Sequence, residues 1–121
     1  MTDPLEHLGS VSRTYAIKAA EFREIAVAAA KAEAAHKSAK AKAILRAQAD
    51  GENLSHNRAE TIADADNEIG RLLTDRLVAA ALADAHKEQL RQLREQVANG
   101  RTMVVNAREI DRLHASDDAS I

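Results

Sequence analysis

The stretch from Ile69 to Leu113 sets the terms for any fold this chain can adopt. Ile69, Leu72, Leu73, Leu77, Ala80, Ala83, Leu90, Leu93, Val97, Val104, Ala107 and Ile110 recur at three- and four-residue steps. Side chains spaced in this way stack on one side of an α-helix. Read as heptads, Ile62, Ile69, Ala83, Leu90, Val97 and Val104 share one position, and Leu72, Ala79, Leu93 and Ala107 fall on its companion. A helix of this length cannot bury such a seam by itself. The rest of the chain, or a second copy of it, must cover it.

The first half of the chain carries a matching seam. Asp3-Pro4-Leu5-Glu6 is a helix opening, because Asp caps and Pro is preorganised for the first turn. Gly9-Ser10 weakens the pattern, so the opening is either a separate turn or the start of helix 1, with Ser10 an alternative cap. From about residue 10 to 49 the chain reads as one helix. Leu8, Tyr15, Phe22, Ala29, His36 and Ala43 lie seven apart; Val11, Ile25, Ala32 and Ala39 take the second seam position, interrupted by Lys18 and Arg46. Between Ala26 and Ala43 the seam is almost wholly alanine. Small seam residues predict a close approach, toward the short end of the roughly 8–10 Å interaxial range.

Asp50-Gly51-Glu52-Asn53 is the clearest break, Gly51 offering the left-handed conformation that closes many helices. A short helix over about 55–64 follows, capped by Ser55 or Asn57 and turning Ile62 inward. Asp64 to Glu68 is a softer break, with Asp66 as a cap and Glu68 favoured in the first turn by the helix dipole. The long helix spans about 67–114, and 116–121 is a polar, frayed tail. Gly100, inside that helix, costs about 1 kcal/mol relative to Ala and marks a close crossing or a mild bend.

Two helices of about 40 and 45 residues, each on the order of 60–70 Å long, become antiparallel neighbours when a short connector joins them. The expected fold class is therefore all-α: one domain over 1–121, an elongated antiparallel helical hairpin with a short elbow helix, completed by dimerisation into a helical bundle. Composition is why a second copy is needed. The 121 residues are 45% hydrophobic but only 2% aromatic, and much of the apolar share is alanine. Alanine supplies helix propensity but little buried area. Tyr15, Phe22, Ile25, Ile69, Leu72, Leu90, Leu93, Val97 and Val104 form the expected hairpin and dimer seam, while Leu82, Met103 and Val105 lie off it. A homodimer with two-fold symmetry is the default way to cover them.

The totals exclude several classes. A formal net charge of −2 exerts no strong pull on nucleic acid or membrane. The chain has no cysteine, which removes disulfides and thiolate metal sites and suits a reducing cytosol. No apolar run approaches the roughly 20 residues of a membrane helix, and the N-terminus lacks a basic-then-apolar leader pattern. A cytoplasmic protein without membrane contact is expected.

The sharpest surface feature is a basic row. Lys87, Arg94, Arg101 and Arg108 lie seven apart, with Arg91 and Arg112 one turn from members of that row. Such a row can track a phosphate backbone or contact a partner protein. It can equally flank the seam and pair with acids of the neighbouring helix, for which Glu21 and Glu24 are the expected partners. Glu88, Glu95, Glu109 and Asp111 dilute its field, and no aromatics are interleaved for base stacking. A second cluster, Lys31, Lys37, Lys40, Lys42 and Arg46, is followed by Glu60, Asp64, Asp66 and Glu68, which a hairpin brings back alongside it.

His7, His36, His56, His86 and His114 form no H-x₃-H or H-E-x-x-H pattern. His36 and His86 sit on seam positions, and hairpin geometry sets His36 near Leu72 to Arg76. A polar seam residue sets register more often than it binds metal. No metal site and no cofactor are expected. There is no Gly-rich phosphate loop and no nucleophile elbow, and capping accounts for Asp64, Asp66 and Glu68. The chain does not read as an enzyme.

The chain resembles a group of short, all-helical proteins of bacteriophages that infect actinobacteria and related Gram-positive hosts. The resemblance rests on Asp3-Pro4-Leu5, the run Ala32 to Lys37, Ala63-Asp64-Ala65-Asp66, Leu93 to Asn99, and Arg108 to Ala115. It implies an accessory role in phage DNA replication or recombination, or in redirecting a host factor, within the host cytoplasm. It brings no binding residues with it. The sequence thus points to a non-enzymatic protein-interaction module acting on itself and on a phage or host protein. Direct nucleic-acid binding through Lys87, Arg91, Arg94, Arg101, Arg108 and Arg112 is the alternative.

Overall fold

The computed structural model describes residues 3–51 and 54–119, the last three of these by backbone alone. The protein is all-α, with three helices and no strand among the described residues: α1 (Pro4–Asp50), α2 (His56–Ala65) and α3 (Asn67–Ala119). Glu52, Asn53, Ser120 and Ile121 lie outside the described residues.

Capping chemistry explains where the helices start. Asp3 Oδ1 accepts from the Leu5 amide at 3.3 Å, and its carbonyl accepts from the His7 amide at 2.9 Å. The first helix therefore begins at Pro4 and runs through Gly9-Ser10 without a break. Ser10 caps nothing; its carbonyl accepts from the Thr14 hydroxyl. Ser55 caps α2 by accepting from the Arg58 amide at 3.2 Å. Asp66 closes α2 and opens α3. Its amide donates to the Ala63 carbonyl at 3.1 Å, and its Oδ1 accepts from the Glu68 and Ile69 amides at 2.9 and 3.2 Å.

Three boundaries differ from expectation. Gly51 does not adopt a left-handed conformation; its amide donates to the Ala47 carbonyl at 3.1 Å, which prolongs the helical hydrogen-bonding pattern. The residues from 116 to 119 are helical rather than a frayed tail. Ile62 does not turn inward: it is 54% exposed, while Ala59 and Ala63 are buried. The break at Asp66 resets the helical phase, so a residue seven before Ile69 no longer shares its face.

The chain groups into two compact units, Met1–Phe22 with His86–Ile121, and Arg23–Ala85. Within the first unit Val11, Leu90, Val97, Gly100 and Val104 are buried, with Leu8, Tyr15, Phe22, Leu93 and Ala107 half-buried beside them. Gly100 is a crossing point. A Cβ added there would lie 3.2 Å from Leu8 Cδ1 and 3.6 Å from Leu8 Cα, so glycine lets α3 approach α1 closely.

Within the second unit Ala59, Ala63, Ile69 and His36 are buried, and Ile25, Ala29, Ala32, Ala39, Ala43, Leu72, Arg76, Ala79 and Ala83 are half-buried. Apart from Ile62, the seam positions read from the heptads are buried or half-buried in both units. The buried face is narrower than the sequence pattern implied, however. Leu73, Leu77, Ala80 and Ile110 lie on its flanks and are exposed. No helix among the described residues is long and apolar enough to cross a membrane.

Candidate functional site

Two features stand out, one in each unit. The first is a polar layer inside the alanine-rich seam of the second unit. His36 is only 5% exposed. Its Nδ1 lies 3.1 Å from Arg76 Nη1. A guanidinium has donors only, so Nδ1 accepts and the ring proton sits on Nε2. That Nε2 is buried and has no hydrogen-bond partner among the described residues.

Arg76 Nη2 also reaches Glu33 Oε1 at 3.4 Å, and Glu33 is held by Lys37 at 2.7 Å. The Lys37 hydrogen bond, then the Lys37 and Arg76 charges, hold the Glu33 carboxyl below its usual range. Beside this layer Lys40 Nζ lies 3.1 Å from Glu60 Oε1 and 3.1 Å from Asp64 Oδ1. Hydrogen bonds from Lys40 to Asp64 and Glu60 raise its pKa above the ordinary lysine value. Of the five cations in the expected cluster, Lys40 alone is paired with acids brought back by the chain; Lys37 pairs locally with Glu33, and Lys31, Lys42 and Arg46 have no ion pair among the described residues.

The same unit carries a run of exposed apolar side chains on α3. From Leu72 to Ala85 the only polar side chains are Thr74, Asp75, Arg76 and Asp84. Leu73, Leu77, Val78 and Leu82 are 39%, 59%, 63% and 49% exposed. A helix apolar on all sides is ordinarily a covered helix. The three-four repeat counts Leu73 and Leu77 into the seam, which hides this patch at the level of sequence. Its signal was the run itself, which is too apolar for a one-sided helix. Arg76 ends the stretch expected beside His36 but has no role assigned from the sequence, although it stands seven after Ile69 and seven before Ala83 on a seam position.

The second feature is the basic row on α3 in the first unit. The structure divides the six residues. Arg91 bridges Glu88 and Glu95, its Nε 3.0 Å from Glu88 Oε2 and its Nη1 2.9 Å from Glu95 Oε1. Arg112 pairs with Glu109. The Arg91 hydrogen bond holds the Glu88 carboxyl below its usual range, and the pairing raises the Arg91 pKa in return. Lys87, Arg94, Arg101 and Arg108 are exposed and form no ion pair among the described residues. Glu21 does not serve them; it pairs with Lys18 at 3.2 Å on its own helix. Glu24 falls in the other unit.

Arg94 and Arg101 border a groove of about 320 Å³ lined also by Ser12, Tyr15, Val97 and Ala98. Arg108 borders a smaller one of about 210 Å³ with Leu5, Val104 and Ala107, which Asp3 and Asp111 also line. Across from the row, the start of the chain presents Leu5, Ser12 and Tyr15, which are uncharged at neutral pH, and the Asp3 carboxylate on the groove that Arg108 borders. Among the described residues no three metal-capable side chains gather at one point. No protein-family model, curated protein or solved structure matches the chain.

Proposed function

We propose that this protein is a non-enzymatic helical interaction module, an antiparallel hairpin that pairs with a second copy and presents a surface to another protein. The observation that carries the reading is the run of exposed apolar side chains Leu73, Leu77, Val78 and Leu82 on α3. Fully covering a Leu or Val side chain stabilises by about 1.5–3 kcal/mol, and four large ones on this segment are 39–63% exposed. A second copy covers such a face at no cost in new sequence, and closed two-fold pairing is the usual outcome.

The acidic side chains support a structural role over catalysis: Asp66 caps, Glu60 and Asp64 hold Lys40, and Glu68, Glu88 and Glu95 hold arginines. The resemblance of the sequence to short helical phage proteins supports a partner in a replication or recombination assembly, or a host factor.

Light scattering tests the pairing. The wild-type chain should have the mass of two copies at micromolar concentration. Leu73→Glu/Leu77→Glu should weaken self-association by more than about tenfold, because each change removes about 1 kcal/mol or more of apolar burial. Helical circular dichroism should be unchanged, since both positions are exposed. A wild-type chain that stays at one-copy mass throughout would overturn the reading.

A further inference from the structure

We propose that the unpaired row Lys87, Arg94, Arg101 and Arg108 is a docking strip for an acidic helix of a partner protein, laid along the groove between α1 and α3 in the first unit. The proposal rests on the interaction-module reading and names the chemistry of the partner and the surface that receives it.

Charge complementarity identifies the occupant. Of the acids of α3 near the row, Glu88 and Glu95 share Arg91 and Glu109 pairs with Arg112, while Asp111, with Asp3, lines the groove beside Arg108. The four cations of the row stay exposed, Arg94 and Arg101 on a groove that no acid lines. Successive members are seven residues apart, about 10.5 Å along a helix. A second helix bearing a carboxylate every seventh residue has the same pitch, so one register meets every cation. This is how flanking charges select partners in helical bundles.

The groove floor fits the same occupant. Val97, Ala98 and the ring of Tyr15 offer apolar surface, with Ser12 small enough to admit a neighbouring backbone. An amphipathic helix would set small apolar residues on that floor and its acids over Arg94 and Arg101.

A nucleic acid fits less well. Phosphates along one strand of a duplex repeat about every 3.4 Å of axis, so a cation every 10.5 Å or so leaves most of them unmet. Acidic residues are also at least as numerous as basic ones over 1–22 and 86–121, so the unit lacks the net positive field that gathers a polyanion.

The test uses the full chain and a synthetic 28-residue helical peptide with Glu at every seventh position and Ala or Leu one turn on, read by fluorescence anisotropy. The expected result is saturable binding that weakens as salt rises. Arg94→Glu/Arg101→Glu should reduce affinity at least tenfold, and a peptide with Lys in place of each Glu should bind this variant better than it binds the wild type. Arg94→Gln/Arg101→Gln gives the same loss if the reversal disturbs folding, which circular dichroism reports. Absence of binding, or binding indifferent to both variants, overturns the proposal. Tighter, arginine-dependent binding of a 30-base-pair duplex than of the peptide overturns it in favour of nucleic acid. Light scattering on the same samples reports self-association separately, so loss of the strip and loss of the module are distinguishable.

Discussion

His36 has one ring nitrogen engaged by Arg76 and the other facing no acceptor among the described residues, in a seam built mostly of alanine, leucine and isoleucine. An unsatisfied buried donor costs about 1–3 kcal/mol. Replacing such a group with an apolar side chain of similar size is often stabilising. His36→Leu is expected to raise unfolding free energy by about 1 kcal/mol, measured by urea denaturation. Arg76 keeps Glu33 as a partner in that variant and is partly open to water. His36→Ala, which also leaves a cavity, is expected to be destabilising. The value of the histidine is then its directionality. Alanine against alanine packs almost equally well one turn away, whereas the contact of Nδ1 with Arg76 and of Arg76 with Glu33 exists in one register only.

Glycines separate the roles of elements. Gly70 and Gly100 both lie in α3, and propensity alone ranks them as equal defects. Their surroundings differ. Nothing lies within 4 Å of a Cβ added at Gly70, whereas one at Gly100 meets Leu8. Gly70→Ala should stabilise by about 0.5–1 kcal/mol. Gly100→Leu should destabilise by about 1–3 kcal/mol through overpacking at the crossing. Thermal melts of the two variants check both signs. The long helices and their buried positions were legible in the sequence because heptad spacing survives in a continuous helix: Ile69, Leu90, Val97 and Val104 are all buried as the pattern requires. Ile62 was not, because a break at Asp66 changes the phase and no pattern measures by how much. Leu73, Leu77 and Ile110 were misassigned because a three-four repeat does not tell a seam from its flank. For the basic row, Glu88, Arg91 and Glu95 already stood at the three- and four-residue offsets that form ion pairs on a helix, so its division was readable. The Ser12–Tyr15 groove was not, since it depends on which residues of α1 stand opposite.

At the scale of the molecule, seven apolar residues are buried among those described, and none of the large ones is wholly shielded: Val11, Ala59, Ala63, Ile69, Leu90, Val97 and Val104. So small a shielded set makes the junctions between helices matter more than they would in a thick-cored domain. The junction at Asp66 is the narrowest, since one residue closes α2 with its amide and opens α3 with its carboxylate. Asp66→Ala removes a cap contributing about 0.5–2 kcal/mol and supplies the best helix former in its place. The two helices are then free to fuse, which carries Glu60 and Asp64 away from Lys40. A chain so straightened can recover its lost contacts only by lending its arm to a neighbour, so this variant should form domain-swapped assemblies that interchange slowly, detectable as mixed species when two differently tagged preparations are refolded together.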